Sequence, residues 1–432
     1  MAAKRSREDT THSPPDLTTK LSDDAVESSA NFAKPLYLVA ALWAEQPRPA
    51  YSVSMVDAAA AAGGNEPRRA RTLAQLAGAE QGMSFVAAHS THGSWIVGVG
   101  GLQGGAIIYD PSTQRTLQAP DISYPKHEPV LISHRGKVYA ISRSPKVNRN
   151  LGSDFEPWFE SLNFNKVVPC IYHNGCPSWK RLPSPPFFPC FLSPKDFRNP
   201  PEITVSSYAA FGSHILLSLE QQGTGTYAFH VGKKTWEKVC DQSLPFVGQA
   251  IPLGGSLFAC HVKSNNVAAA ATSVFHMSIK VFTPSSGKPT TNLSIQEFPV
   301  VSAEGFLWPL FCPLGKGSFC SIRWGGSSHQ SRKAKYLKDS QISSKAKRSP
   351  QVILTTFQVV NTEDILAACQ TESTKAKDLH VAVQVKQQNQ TYKFRSKNRL
   401  VVSDMPVVAA MSISRDREHT DEGTTETWRG YR

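Results

Sequence analysis

The chain has 432 residues, with 47 Lys plus Arg against 34 Asp plus Glu, 40% hydrophobic and 19% charged residues. That is enough apolar material for a sizeable core, and it excludes a disordered polyelectrolyte. Gly and Pro number 28 and 30, an ordinary share that excludes collagen-like and low-complexity architectures. No run of 18 apolar residues occurs, and Met1 leads into Lys4, Arg5, Arg7, Glu8 and Asp9. The expectation is a protein of the cytoplasm or nucleus that is neither secreted nor membrane-spanning.

In chain order, residues 1–35 are rich in Ser, Thr and Asp with Pro14, Pro15 and Pro35, and are expected to be a disordered tail. Leu36–Trp43 and Ser84–Ala87 are apolar runs of strand length. From there a unit recurs. A turn glycine precedes a short apolar strand at Gly93, Gly136, Gly212, Gly255 and Gly317, with spacings of 43, 76, 43 and 62. Two of these fall in the range of roughly 40–50 residues for a four-stranded propeller blade, and the other two need insertions.

A second strand then ends in an aromatic residue before a tight turn: Tyr109 before Asp110-Pro111-Ser112, Tyr172 before His173-Asn174-Gly175, Phe229 before His230-Val231-Gly232, and Phe282 before Thr283-Pro284. Surplus residues in the second and fourth units coincide with loop-like sequence at 146–153 and 264–271. Seven residues beyond Tyr172 and Phe229 stand Trp179 and Trp236, and Leu182-Pro183 and Leu244-Pro245 close those units. The spacing predicts that each aromatic and its Trp share one hairpin as a cross-strand pair.

The fifth unit carries its surplus between Gly317 and Phe357. That surplus is a basic, Ser-rich stretch, 327–348, in which Arg332, Lys333, Lys335, Lys338, Lys345, Lys347 and Arg348 face the single acid Asp339. Residues 323–432 as a whole hold 19 basic and 11 acidic side chains, a net of +8 out of +13. The stretch is expected to be an exposed loop, and its two basic clusters have the spacing of a bipartite nuclear import signal. Further strands are expected at 352–357, 379–383 and 400–402. Helix is expected to be nearly absent, because Ala58–Ala62 and Ala268–Ala271 are too short to form one.

The units resemble degenerate kelch repeats, in which an apolar strand ends in Gly-Gly and a spaced aromatic and Trp follow. Trp95 to Gly98 with Gly100-Gly101, and Trp324 with Gly325-Gly326, carry the Gly-Gly element; Tyr172 with Trp179 and Phe229 with Trp236 carry the aromatic pair. The stretch 36–402 is similar to kelch-like proteins of large plant families, some of which hold an F-box, and residues 1–35 show none. The resemblance implies an all-β fold: a single closed β-propeller of five or six four-stranded blades over 36–402, with tails at 1–35 and 403–432.

Motifs for chemistry are lacking. Gly98–Gly105 has Gln103 where a dinucleotide-binding loop needs its third glycine. None of the Gly-Lys pairs forms a phosphate loop, and neither a Gly-x-Ser-x-Gly elbow nor a His-Glu-x-x-His pair is present. His89 and His92 fit a solvated turn. Cys170, Cys176 and Cys190 with His173 lack the spacing of a zinc site, and the eight cysteines fit small apolar positions. The expectation is therefore a non-enzymatic module without cofactor or metal that binds a protein partner through loops of one propeller face. The alternative is a binder of nucleic acid or another acidic surface through the basic last quarter.

Overall fold

The structure, a computed structural model, describes residues 35–42, 50–58, 67–145, 157–165, 178–189, 201–221, 223–262, 272–282, 290–300, 310–324, 351–370, 382–394 and 406–413. The basic stretch 327–348, Tyr172, Gly325, Gly326 and the ends 1–34 and 414–432 lie outside these residues.

Strand dominates. The chain begins with β1 (Pro35–Leu42), β2 (Ala50–Asp57), β3 (Arg68–Arg69) and β4 (Arg71–Leu76). It continues through β5 (Met83–Ser90), β6 (Gly93–Gly100), β7 (Gly105–Asp110) and β8 (Arg115–Gln118), then β9 (Val130–His134), β10 (Lys137–Ile141), β11 (Phe159–Asn163) and β12 (Lys180–Arg181). Next come β13 (Val205–Phe211), β14 (His214–Leu219), β15 (Thr226–His230) and β16 (Thr235–Cys240), followed by β17 (Phe246–Gly254), β18 (Leu257–Val262), β19 (Thr272–Phe282) and β20 (Thr290–Pro299). Last are β21 (Leu310–Gly315), β22 (Ser318–Trp324), β23 (Gln351–Val359), the helix α1 (Thr362–Gln370), β24 (Val385–Lys393) and β25 (Val407–Ser412).

These strands make six antiparallel sets of four. The first is β25-β1-β2-β4; β5-β6-β7-β8 and β9-β10-β11-β12, the latter seen from its first strand, form the second and third. The fourth and fifth, β13 to β16 and β17 to β20, join into one eight-stranded sheet through a short parallel pairing of Ser207 and Tyr208 with Gly248 and Gln249. The sixth is β21-β22-β23-β24, with β3 added in parallel to its outer edge. The first strand of each set lies beside the first strand of the next, and β21 lies beside β25, which lies beside β5. The arrangement is propeller-like.

Between consecutive sets sits one apolar cluster, so the core is divided into six interfaces. Alternation along each strand sends successive side chains to opposite interfaces. In β11, Phe159 faces the fourth set while Leu162 faces the second. Aromatic pairs bridge four of these seams: Tyr51–Phe85 at 4.9 Å, Trp95–Phe164 at 5.6 Å, Phe159–Phe229 at 4.9 Å and Phe211–Phe258 at 5.5 Å. Full burial of such a ring is worth about 2–3 kcal/mol, and the edge-to-face geometry of Tyr51–Phe85 and Phe159–Phe229 adds roughly 1 kcal/mol more.

The five repeat glycines all lie at the connection between the first and second strands of a set: Gly136, Gly212, Gly255 and Gly317 in the turn itself, and Gly93 as the first residue of the second strand. In three of these turns the residue before the glycine also has positive φ, Arg135, Gly254 and Lys316; Arg135-Gly136 and Lys316-Gly317 are the two-residue hairpin geometry whose twist matches that of the strands. The aromatic landmarks Tyr109, Phe229, Phe282 and Phe357 lie at or near the end of the third strand.

Four expectations need correction. The third strand of the third set is Phe159–Asn163, so Ile171-Tyr172 is not that strand; the insertion lies before it. The fourth strand of the sixth set is Val385–Lys393, a polar segment, whereas 382–384 is not strand. Val407–Ser412 lies inside the stretch read as a C-terminal tail. It is an inner strand paired with β1, so the sheet-forming region extends past 402. Finally, helix is nearly absent among the described residues, as expected, but 362–370, where no helix was placed, forms the short α1. It starts after Asn361, carries Glu363 and Asp364 in its first turn, and buries Ile365 in the seam between the fifth and sixth sets.

Candidate functional site

In an antiparallel set, the first-to-second and third-to-fourth turns emerge at one end of the sheet. The second-to-third turn and the link to the next set emerge at the other. The long insertions of this chain belong mostly to that second end. Among the loops described throughout at that end, 101–104 between β6 and β7 and 119–129 between β8 and β9 together form a built platform.

The platform is fastened at many points. Gly101 N–H donates to Lys126 O at 3.0 Å, Ile122 N–H to Gly104 O at 3.2 Å and Glu128 N–H to Gly82 O at 2.6 Å. Gln103 N–H donates to the Glu80 carboxylate at 3.0 Å, and Arg143 Nε to Glu128 O at 2.9 Å. Gly100 is required here. Its φ is +111°, and a Cβ would lie 2.5 Å from Lys126 O. Glu128 itself sits at φ 48°, a conformation that a non-glycine residue holds only when its surroundings fix it.

Beneath the loops lies a buried ion pair. Lys126 Nζ is 2.6 Å from Glu160 Oε2, and both side chains are fully buried. The second carboxylate oxygen, Oε1, accepts the Ser123 hydroxyl at 2.6 Å and the Ser123 N–H at 3.2 Å, while Lys126 Nζ also donates to Tyr124 O at 3.3 Å. Desolvating two charges is costly and is offset only when such additional bonds are made. The pair therefore ties the 119–129 loop of one set to the third strand of the next. Above it, Leu102 is 73% exposed and Tyr124 44% exposed, two of the few large apolar side chains on the surface among the described residues. A rigid rim presenting an aliphatic and an aromatic side chain can dock a protein surface.

Of the other residues singled out in the sequence, Gly100 ends β6 and Gly101 opens its turn, matching the Gly-Gly element. Phe229 and Trp236 are directly opposite each other in β15 and β16, with ring centroids 5.0 Å apart. Trp179 immediately precedes β12, is buried, and donates to Pro120 O at 2.8 Å. His89, near the end of β5, accepts from or donates to Ser94 Oγ at 2.8 Å, and His92, in the turn that follows, contacts Asn165 O at 3.3 Å. Cys260, Cys312 and Cys320 are buried, and burial pushes the Cys260 and Cys320 thiols well up. Among the described residues, no group of three His, Cys, Asp or Glu side chains is placed to hold a metal ion.

Sequence reasoning missed Leu102, Tyr124, Lys126 and Glu160. One signal was available: in Phe159-Glu160-Ser161-Leu162, period two puts Glu160 on the same face as Leu162, which marks a carboxylate that must be paired.

Comparison with known families finds one match, Protein of unknown function (DUF1668), over residues 33–389. The chain belongs to this family. The match spans β1 to most of β24, so the DUF1668 region contains the whole platform. No match is found among curated proteins. Among solved structures the DUF1668 chain is similar to YjhT, at 10% identity over 61% of this chain and 82% of that one, with a TM-score of 0.34. It is also similar to the WD40 domain of SCAP from fission yeast, at 8% identity over 84% of this chain and 75% of that one, with a TM-score of 0.31. Among the described residues no helix is long and apolar enough to cross a membrane.

Proposed function

We propose that this chain is a non-enzymatic scaffold of the cytoplasm or nucleus, built as one closed six-bladed propeller, that binds a protein partner through the platform of loops 101–104 and 119–129. Closure is supported by the cyclic order of the innermost strands and by β25, which joins the C-terminal part of the chain to β1. A closed ring leaves only short, protected sheet edges around its axis and holds its loops on a stiff base. The kelch likeness belongs to the same reading, supported by Gly100-Gly101 at the end of a second strand and by the facing rings of Phe229 and Trp236.

The observation that carries the reading is the exposure of Leu102 and Tyr124 on loops locked from below by Lys126 and Glu160. Apolar side chains held in place lose little entropy when a partner covers them. The test is proximity labelling and co-purification in the native cell, comparing the wild type with Leu102→Asp/Tyr124→Ala. Loss of a defined set of partners from a variant that keeps its thermal midpoint supports the reading. An unchanged partner set, or turnover of a small molecule by the purified chain, contradicts it.

A further inference from the structure

The outer edge of the sixth set gathers cations that the scaffold role does not use, and we propose that it binds the phosphate backbone of a nucleic acid. This goes beyond the docking role of the platform, which lies between the second and third sets. The sheet register brings the cations together. Trp324 pairs with Val352, Val352 with Tyr392, and Tyr392 with Arg68; one step along, Gln351 pairs with Lys393, and Lys393 with Arg69. Residues far apart in sequence thus share one corner, and Arg71 opens β4 directly after it.

Arg68, Arg69 and Arg71 are exposed and Lys393 is half-buried. Among the described residues of β2, β3, β4, β22, β23 and β24 there are six Lys or Arg, with Asp57 the one carboxylate. The corner is held rigid: Ala70 N–H donates to Lys393 O at 3.0 Å, and the Tyr392 hydroxyl donates to Asp57 O. The cations sit on paired strands and need little ordering when a polyanion arrives. The connecting segments 325–350 and 395–405 leave from this same row of residues. By sequence they carry ten Lys or Arg against Asp339 and Asp404, but they lie outside the described residues, and the site consists of the strand residues alone.

The chemistry favours a phosphodiester chain over a membrane. β24 presents Gln387, Gln388, Asn389 and Gln390, and among the described residues the exposed large apolar side chains, Leu102, Tyr124, Val281, Val360 and Val408, are not on these paired residues, which therefore offer nothing to enter an acyl layer. Trp324 packs into the seam with the first set, its ring 6.2 Å from that of Phe394, and so offers no platform for a base. Recognition is therefore through phosphates, independent of sequence and steeply dependent on salt.

Fluorescence anisotropy of the full chain with a labelled oligonucleotide, single-stranded in one arm and duplex in the other, across a range of salt tests this. The expected result is binding at low salt in at least one arm. In Arg68→Ala/Arg69→Ala/Lys393→Ala the salt slope should fall by about two to three units, and low-salt affinity should fall about tenfold or more. Circular dichroism of the triple variant should be unchanged, because the arginine side chains are exposed. Wild-type chain that ignores both oligonucleotides at low salt, or that binds only vesicles containing phosphatidylserine, overturns the proposal. So does a triple variant with the wild-type slope, including the case in which Lys333→Ala/Lys335→Ala/Lys345→Ala/Lys347→Ala alone removes all salt dependence.

Discussion

The indole N–H of Trp179 donates to the carbonyl of Pro120 at 2.8 Å, across the seam between the second and third sets. Trp236 repeats the contact one set later, donating to Pro183 O at 2.7 Å. In both cases the acceptor is the second residue after the preceding fourth strand. At the seam between the sixth and first sets the corresponding place is taken by β3, which pairs with the end of β24. The rim is thus fastened by different devices at equivalent positions.

Trp179→Phe keeps a ring in the seam and removes the donor. We predict a loss of about 0.5–1.5 kcal/mol in unfolding free energy, measured by urea titration, with an unchanged denaturant slope. Trp179→Ala also empties a buried site and should cost about 3–5 kcal/mol.

Lys126→Met leaves Glu160 buried without its cation. The expected loss is about 3–5 kcal/mol, whereas Lys126→Met/Glu160→Leu should recover most of it, because the double variant leaves no uncompensated charge. A double-mutant cycle by chemical denaturation checks this. Equal destabilisation in the single and double variants would mean that the pair does not anchor the loop.

Acid should weaken the fold through its half-buried histidines. Burial holds the His134 imidazole below its ordinary value of 6.5, partly countered by its bond to Gly212 O, and burial likewise lowers His214, His261 and His276. Above the unfolded value both states are neutral and no effect arises. As pH falls below it, the unfolded chain takes up protons that the folded chain refuses, so stability drops until the folded values are passed. Unfolding free energy should therefore decline from pH 7 to pH 5, and His134→Gln should make that decline shallower.

The repeat was legible because its markers are local: a glycine where the hairpin needs positive φ, an apolar strand, and an aromatic before a turn. Phe229 and Trp236 were predicted as a cross-strand pair from spacing alone, and their register agrees. β24 was missed because an outer strand exposes much of its surface, so Val385–Lys393 reads as polar. β25 was missed because Val407–Ser412 stands apart from any glycine marker and finds its partner in β1, at the other end of the chain. A nine-residue segment was too short to declare α1; burial of Ile365, with Leu366 and Cys369 packed against the same cluster, gives that helix its support. The platform was illegible for a similar reason, since Lys126 and Glu160 are 34 residues apart and meet only when two sets pack.

Comparing chains that end at residue 413 and at residue 405 tests closure of the ring by β25 most directly. The account predicts that the longer chain unfolds in one cooperative transition at the midpoint of the full protein. The shorter chain, without the strand that lies between β1 and the innermost strands of its neighbours, should lose that transition and bind a hydrophobic dye. A chain ending at residue 405 that keeps the same cooperative transition and midpoint would contradict the account.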